Sequence, residues 1–431
     1  MKKIEKVRAV KGELRVPSDK SITHRAFILG ALARGKTVVR EPLISEDTKA
    51  TLEVLKNLGT EVREGNKEIV IQGRNYNFLE PKEVLDCKNS GTTARIMAGV
   101  LATQPFFSVL FGDESLRERP MLRVVEPLRE MGAKIDGREE GNKLPIAIRG
   151  GKLRGISYFN KRVSAQVKSS LILAGLRAEG ITEVVEPVLS RDHTERMLKL
   201  FGVEVITISE ERGHIVKVKG GQELKGTEIF CPADPSSAAY FVALATLAPE
   251  GFLKLKDVLL NPTRDGFYRK LLEMGANIAF ENTREVSGEP IADIVVRPVE
   301  KLKAVKVSPE EVPSMIDEIP ILAVLMALAE GVSEVRGAKE LRYKESDRIK
   351  AIVHNLRKMG VKVEELEDGF IIEGTEKLKG AKVETFGDHR IAMAFAIAGL
   401  VTDEEVFIDN PQCVSVSYPQ FWEDLLKVVE F

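Results

Sequence analysis

Cysteine is scarce. The 431-residue chain holds three, Cys87, Cys231 and Cys413, far apart and without a Cys-x-x-Cys pair. That argues against a disulfide framework and a structural zinc site, and a reducing, cytoplasmic setting is expected. An excess of one charge is also missing, since 64 Lys+Arg face 65 Asp+Glu for a net −1. A nucleic-acid binder carries a basic excess, so no nucleic-acid partner is expected, and any anion site must be built by local placement. Long apolar runs are absent as well. The longest, at residues 319–329 and 391–401, are about half of what a bilayer crossing needs. The start, Met1-Lys2-Lys3-Ile4-Glu5-Lys6, returns to charge before a signal-peptide core can form. Neither secretion nor membrane insertion is expected. The phosphate-loop pattern GxxxxGK[ST] does not occur. Glutamine is sparse while Glu, Lys and Arg abound, a balance favoured at high growth temperature. What remains, 43% hydrophobic and 30% charged, is globular, and it is too long for one ordinary core.

Two phrases recur along it. One is a helical stretch ending in Leu-x-x-Met/Leu/Phe-Gly and followed by an alternating strand, with its glycine at Gly59, Gly132, Gly202, Gly275 and Gly360. The glycine suits a left-handed helix C-cap, and the alternation that follows, as in Val361-Lys362-Val363-Glu364, marks a half-buried strand. A sixth helix, residues 421–429, lacks the glycine. The second phrase is a polar cluster opening an apolar helix. It occurs at Ser18-Asp19-Lys20-Ser21, Asn89-Ser90-Gly91-Thr92, Ser164-Ala165-Gln166, Asp234-Pro235-Ser236-Ser237, Ser314-Met315-Ile316-Asp317 and Gly387-Asp388-His389-Arg390. Such residues are good N-caps, and the runs behind them are apolar all round, which predicts buried helices. Six units of about 70 residues, each strand, buried helix, strand, amphipathic helix and strands, therefore account for the chain.

The chemistry is expected at the openings. Helix N-termini attract anions; Lys20, Arg25, Arg95 and Arg390 stand at these openings, with Arg119 after a Gly-Asp turn and Lys344 and Arg348 in residues 343–348 as further cations. If the openings face one cleft, it is strongly basic and suits phosphorylated, carboxylated small molecules. Asp317 and Glu345 are embedded among the cations, where a carboxylate stays ionised and can accept a proton. Taken alone, residues 344–348 read equally as a solvated, salt-bridged helix, and Asp388-His389-Arg390 as a helix cap with a surface cation.

Val16-Pro17-Ser18-Asp19-Lys20-Ser21-Ile22-Thr23-His24-Arg25 resembles a signature of the 5-enolpyruvylshikimate-3-phosphate synthase family, and so does Asn89-Ser90-Gly91-Thr92-Thr93-Ala94-Arg95. Arg119-Pro120-Met121, Ser164-Ala165-Gln166, Lys344-Glu345-Ser346-Asp347-Arg348 and Gly387-Asp388-His389-Arg390 are similar to further motifs in the same order, so the resemblance spans essentially the whole chain. It implies a two-domain inside-out α/β barrel of six βαβαββ units, three per domain. Residues 1–16 and 232–431 would form one domain and 17–231 the other, with the active site in the cleft. The implied reaction moves the carboxyvinyl group of phosphoenolpyruvate to the 5-hydroxyl of shikimate 3-phosphate, in the pathway to chorismate and aromatic amino acids. It needs one proton donor, one base and fixed cations, so no cofactor and no metal are expected. The partners are small anionic substrates, and a monomer that closes on its acceptor is expected.

By the resemblance, Lys20, Ser21 and Arg25 grip shikimate 3-phosphate, with Lys20 also reaching phosphoenolpyruvate. Ser164 holds the acceptor's phosphate, Gln166 touches both ligands and Lys344 reaches the ring. Gly91, Arg119, Arg348 and Arg390 bind phosphoenolpyruvate. Asp317 accepts the hydroxyl proton and Glu345 exchanges the methylene proton; how Lys20, Asp317 and Glu345 divide the two half-reactions stays open. The sequence departs from the family at Ser18 for glycine, Ala165 for serine, His193 for tyrosine and Val416 for lysine. Arg191 is expected to supply the phosphate contact that the tyrosine makes. No ligand is assigned at Val416, and packing or surface roles are expected for His24, His214 and His354. Glyphosate occupies the phosphoenolpyruvate subsite in this family. Gly91 leaves it room, while Asp19 and His24 resemble the less sensitive members, so intermediate to low sensitivity is expected. Two rivals are the related UDP-N-acetylglucosamine enolpyruvyl transferase and a non-catalytic anion-binding protein on the same fold. The first normally has asparagine where Ser21 stands and a reactive loop cysteine that no cysteine here matches; the second has no use for the carboxylates.

Overall fold

The glycine-ended phrase closes five helices: Glu46–Asn57, Leu122–Glu130, His193–Leu200, Gly266–Glu273 and Arg348–Lys358. In the computed structural model, which describes residues 1–431, the five glycines have φ between 82° and 110°, the region where a side chain is strained. The six apolar runs form buried helices: α1 (Lys20–Leu32), α2 (Gly91–Ala102), α3 (Ala165–Gly175), α4 (Pro235–Leu247), α5 (Ile319–Ala327) and α6 (His389–Leu400). Asp19, Ser90, Ser164, Asp234 and Asp388 cap α1, α2, α3, α4 and α6 with a side-chain acceptor. The opening at residues 314–317 departs from the expected cap. Two short 3₁₀ turns, Val312–Ser314 and Ile316–Glu318, lead into α5, whose start has no side-chain cap. A proline in its first turn, Pro320, removes one of the N–H groups a cap would serve.

The chain divides into two compact units, Ser18–Cys231 and Met1–Pro17 with Pro232–Phe431. Within Ser18–Cys231 three four-stranded sheets repeat one pattern. The strand before each buried helix runs parallel to the strand after it, and a hairpin then pairs antiparallel. Thus Ser157–Phe159 lies parallel to Ile181–Glu186, which pairs with Gly213–Lys219 and through it with Val205–Glu210. The first sheet has the same order, but its leading strand comes from the far end of the segment: Glu228–Phe230 runs parallel to Lys36–Arg40. Helices α2 and α3 touch backbone to backbone, since a Cβ on Gly99 would stand 2.1 Å from the Ser170 carbonyl oxygen.

The other unit repeats the pattern with a second exchange. Ala9–Leu14 is the leading strand of the fourth repeat, parallel to Gly251–Leu259. Lys2–Ile4 pairs antiparallel with Val406–Ile408 and completes the sixth repeat, where the hairpin is absent. The six units are therefore not six consecutive stretches, because strands from the ends of each segment close its repeats. Helices α4, α5 and α6 form the centre of one apolar core with Phe267, Phe370 and Phe421. No helix is long and apolar enough to cross a membrane.

Candidate active site

In Ser18–Cys231 the expected residues gather at the starts of α1, α2 and α3. Lys20 opens α1, and its Nζ lies 3.0 Å from Asp47 Oδ2 in the first turn of Glu46–Asn57. Arg191 Nη1 donates to Ser21 Oγ at 2.7 Å. Arg25 is buried and fully directed. Its Nε donates to Thr194 Oγ1 at 2.8 Å, Nη2 to Ser169 Oγ at 3.2 Å and Nη1 to the Ser21 carbonyl at 3.0 Å. Ser164 Oγ accepts from Val167 N as the α3 cap, which leaves its O–H free to turn outward as a donor.

Gly91 begins α2 between two guanidinium groups. A Cβ there would stand 3.0 Å from Arg95 Nη1 and 3.2 Å from Arg119 Nη1. Arg95 Nη1 donates to Gln166 Oε1 at 2.6 Å, and Gln166 Nε2 donates to Thr92 Oγ1 at 3.1 Å. Arg119 Nη2 donates to Asn89 Oδ1 at 3.1 Å. Gly91, Arg119 and Gln166 thus share one corner. His24 packs as expected: Nδ1 is 2.7 Å from Thr51 Oγ1, Nε2 is buried without a partner, and burial pushes its pKa down to about 3. His193, at the tyrosine position, is buried at the start of His193–Leu200. His214 Nδ1 meets Ser209 Oγ, and His354 pairs with Glu384 near the surface.

In the other unit Arg348 is the centre. It is 1% exposed. Its Nε donates to Asp388 Oδ2 at 2.9 Å and Nη2 to Asp388 Oδ1 at 3.2 Å; Nη2 also donates to Glu345 Oε2 at 2.6 Å, and Nη1 reaches Asp317 Oδ1 at 3.4 Å. Burial opposes its charge, yet Asp388, Glu345 and Asp317 hold its pKa above the ordinary arginine value. Burial works to raise Asp388, but the Arg348 charge outweighs it and keeps the carboxyl below its usual range. The solvated-helix reading of residues 344–348 is therefore overturned by burial and by convergence of three carboxylates. Asp388 does cap α6, but Arg390 is no surface cation: it is 2% exposed, with Nη1 3.5 Å from Tyr240 Oη. Lys344 follows the 3₁₀ helix Lys339–Tyr343 on a stretch braced by Arg342, which donates to Asp347 Oδ2 at 2.9 Å and to the Leu366 carbonyl at 2.7 Å. His389 Nε2 lies 3.6 Å from Glu345 Oε1, and its Nδ1 meets Ser417 Oγ, next to Val416.

Asp47, Ser169, Thr194 and Arg342, and the ionic role of Asp388, escaped sequence reasoning. Asp47, Ser169 and Thr194 act on Lys20 or Arg25 from other segments, Arg342 braces the Lys344 stretch from two residues before it, and only Asp388 stood in a motif.

The profile of the EPSP synthase family (3-phosphoshikimate 1-carboxyvinyltransferase) matches residues 4–425. The chain belongs to this family. It is 80% identical over 431 residues, all of both chains, to the 3-phosphoshikimate 1-carboxyvinyltransferase of Aquifex aeolicus, and 53% identical over 429 residues, 99% of each, to that of Persephonella marina. Among solved structures, an EPSP synthase from Acinetobacter baumannii matches with a TM-score of 0.86 and 42% identity, over 99% of this chain and 98% of that one. The enolpyruvyl transferase NikO of Streptomyces tendae matches with a TM-score of 0.76 at 15% identity, over 99% and 96% of the chains, and shares the fold. The chain has the two-domain inside-out α/β architecture of the family.

Proposed function

We infer that this chain transfers the carboxyvinyl group of phosphoenolpyruvate to the 5-hydroxyl of shikimate 3-phosphate, releasing phosphate. The observation that carries the reading is 80% identity, end to end, with a 3-phosphoshikimate 1-carboxyvinyltransferase. The site is consistent with it: cations fixed by hydrogen bonds, beside carboxylates held in place.

Protonating the methylene carbon of phosphoenolpyruvate makes the adjacent carbon electrophilic. The 5-hydroxyl attacks there and gives a tetrahedral ketal phosphate. Breaking the carbon–oxygen bond to phosphate and removing one methyl proton then leaves the enol ether. In this reading Glu345 gives and recovers the carbon-bound proton, and Asp317 takes the hydroxyl proton. Their shared bond to Arg348 supports the assignment, because it holds both carboxylates in fixed positions before reaction. Lys20 serves both ligands, oriented by Asp47. Ser21, Arg25, Ser164, Gln166, Arg191 and Lys344 bind shikimate 3-phosphate. Gly91, Arg119, Gln166, Arg348 and Arg390 bind phosphoenolpyruvate. Four of the five Arg348 N–H groups already meet carboxylates, so its share of that binding is one N–H, and its larger task is to hold the carboxylates. No residue from a second copy of the chain enters this assignment, and a monomer is the form proposed.

The thiols weigh against the nucleotide-sugar rival. Burial pushes the Cys87 thiol far up and that of Cys413 up to about 12, so neither is a ready thiolate. Phosphate release from phosphoenolpyruvate, with shikimate 3-phosphate and UDP-N-acetylglucosamine as separate acceptors, tests the reading. Release only with shikimate 3-phosphate, lost in Lys20→Ala and Glu345→Ala, is expected. Release only with the nucleotide sugar refutes it, and silence with both in a folded sample that binds the ligands favours the binding protein.

A further inference from the structure

A cation and two carboxylates are buried in Ser18–Cys231 that the reaction does not use. Lys168, on α3, has 0% side-chain exposure, and its Nζ lies 2.9 Å from Glu186 Oε1 and 3.0 Å from Glu195 Oε2. Burial opposes the Lys168 charge, but Glu195 and Glu186 hold its pKa above the ordinary value. Such a cluster is not the cheapest way to fill a core, since apolar side chains of equal volume are often as stable or more so. What it adds is direction.

The bonds point to two loops. Glu186 Oε2 accepts from Asn160 Nδ2 at 2.9 Å, and the same Nδ2 donates to the Ser164 carbonyl at 2.9 Å. Glu186 Oε1 accepts from Ser190 Oγ at 2.9 Å, and Lys168 Nζ reaches the Ser190 carbonyl at 3.3 Å. Ser164 and Arg191 each lie next to an anchored group. The turn before Ser164 is also strained, because Val163, a β-branched residue, has φ 54°. A strained turn persists only where its surroundings over-determine it, and Asn160 supplies that restraint from both sides: its side chain holds the Ser164 carbonyl and its own carbonyl accepts from Val163 N at 3.1 Å. Glu195 leaves the network along the helix that begins at His193, whose Thr194 holds Arg25.

We propose that the buried Lys168–Glu186–Glu195 network, with Asn160 and Ser190, positions Ser164 and Arg191 for the phosphate of the acceptor. The proposal rests on the reading above that these two residues meet that phosphate. The network touches no substrate; it acts through Ser164 and Arg191.

Lys168→Met removes the only cation between two buried glutamates and risks unfolding, so Asn160→Ala, which keeps every charge, carries the test. Steady-state kinetics would vary each substrate in turn, with shikimate, which lacks the phosphate, as a second acceptor, and thermal unfolding run alongside. Ser164→Ala and Arg191→Ala serve as benchmarks. Asn160→Ala is expected to raise KM for shikimate 3-phosphate about tenfold, the worth of roughly one hydrogen bond to a charged group. KM for phosphoenolpyruvate stays within about twofold, and the preference for shikimate 3-phosphate over shikimate narrows by about the same tenfold factor. A lower melting temperature with KM and acceptor preference unchanged overturns the proposal, because that is what a purely structural network gives. If Ser164→Ala and Arg191→Ala also leave KM and preference unchanged, the phosphate-subsite reading itself fails and the proposal with it.

Discussion

Replacing Gly91 with alanine separates folding from binding. Gly91 is the first residue of α2, outside the left-handed region, so alanine fits its backbone. Fewer unfolded conformations then favour the folded state by about 0.4–1 kcal/mol. Against this stands the new methyl group, 3.0 Å from Arg95 Nη1 and 3.2 Å from Arg119 Nη1. Ordinary contact begins at about 3.5 Å, so the two guanidinium groups must retreat by roughly 0.3–0.5 Å. Both are the far ends of flexible side chains, and the retreat costs little fold stability. Net stability should therefore change by less than about 1 kcal/mol.

Binding has no such slack. Arg119 is a proposed phosphoenolpyruvate ligand, and Arg95 orients Gln166. Spoiling one charge-assisted hydrogen bond costs about 1.5–3 kcal/mol, which is roughly a tenfold to hundredfold rise in KM for phosphoenolpyruvate. The atoms nearest the new methyl group belong to Arg95 and Arg119, not to Lys20, Ser21, Arg25, Ser164 or Arg191, so KM for shikimate 3-phosphate should stay within about threefold. Kinetics with each substrate varied at saturation of the other, calorimetry with shikimate 3-phosphate alone and thermal unfolding give the three readings. A folded Gly91→Ala protein with KM for phosphoenolpyruvate unchanged would falsify the placement of that subsite. An equal rise in both KM values would show that the corner is not selective.

Two further outcomes follow from buried charge. His24 is held near pKa 3 against an ordinary 6.5, so the unfolded chain takes up the proton first; its contribution is complete above about pH 6.5, drains as pH falls toward 3 and amounts to about 3 kcal/mol lost by pH 4. Urea unfolding between pH 7 and 4 should show a shallower decline in His24→Asn, which can keep the bond to Thr51, and equal slopes would contradict the assignment. Arg348→Lys keeps the charge but loses the planar fork that meets Asp388, Glu345 and Asp317; about 3 kcal/mol of stability and at least roughly a hundredfold in kcat should go with it. Asp388 sits below its usual pKa through Arg348, so its stabilisation is present above about pH 4 and lost as pH falls further. In the variant that loss should be smaller and should finish at a higher pH, and an unmoved acid limb in the unfolding profile would refute the coupling.

What the sequence made legible was local. A left-handed glycine or an N-capping aspartate is decided within one turn of chain, so Gly59 and its four counterparts, and five of the six buried-helix caps, could be read directly. The exchange of end strands could not, because Glu228–Phe230 is three residues whose partner, Lys36–Arg40, lies across the whole segment. The same division runs through the site. Lys20, Gly91, Ser164, Glu345 and Arg390 ride on helix starts or in a short motif, and their types and the family resemblance marked them. Their supports come from elsewhere: Asp47 for Lys20, Thr194 for Arg25, Asn160 for Ser164. Arg348 shows why the two readings of residues 344–348 were evenly matched. Its pairing with Glu345 three residues away is what an exposed helix would also display. The residue that closes two bonds on the buried guanidinium is Asp388, forty positions on, which also caps α6. Periodicity carries no trace of that contact. A motif can thus name the residue that meets the substrate, while the partner that fixes its position is settled by the way the repeats pack.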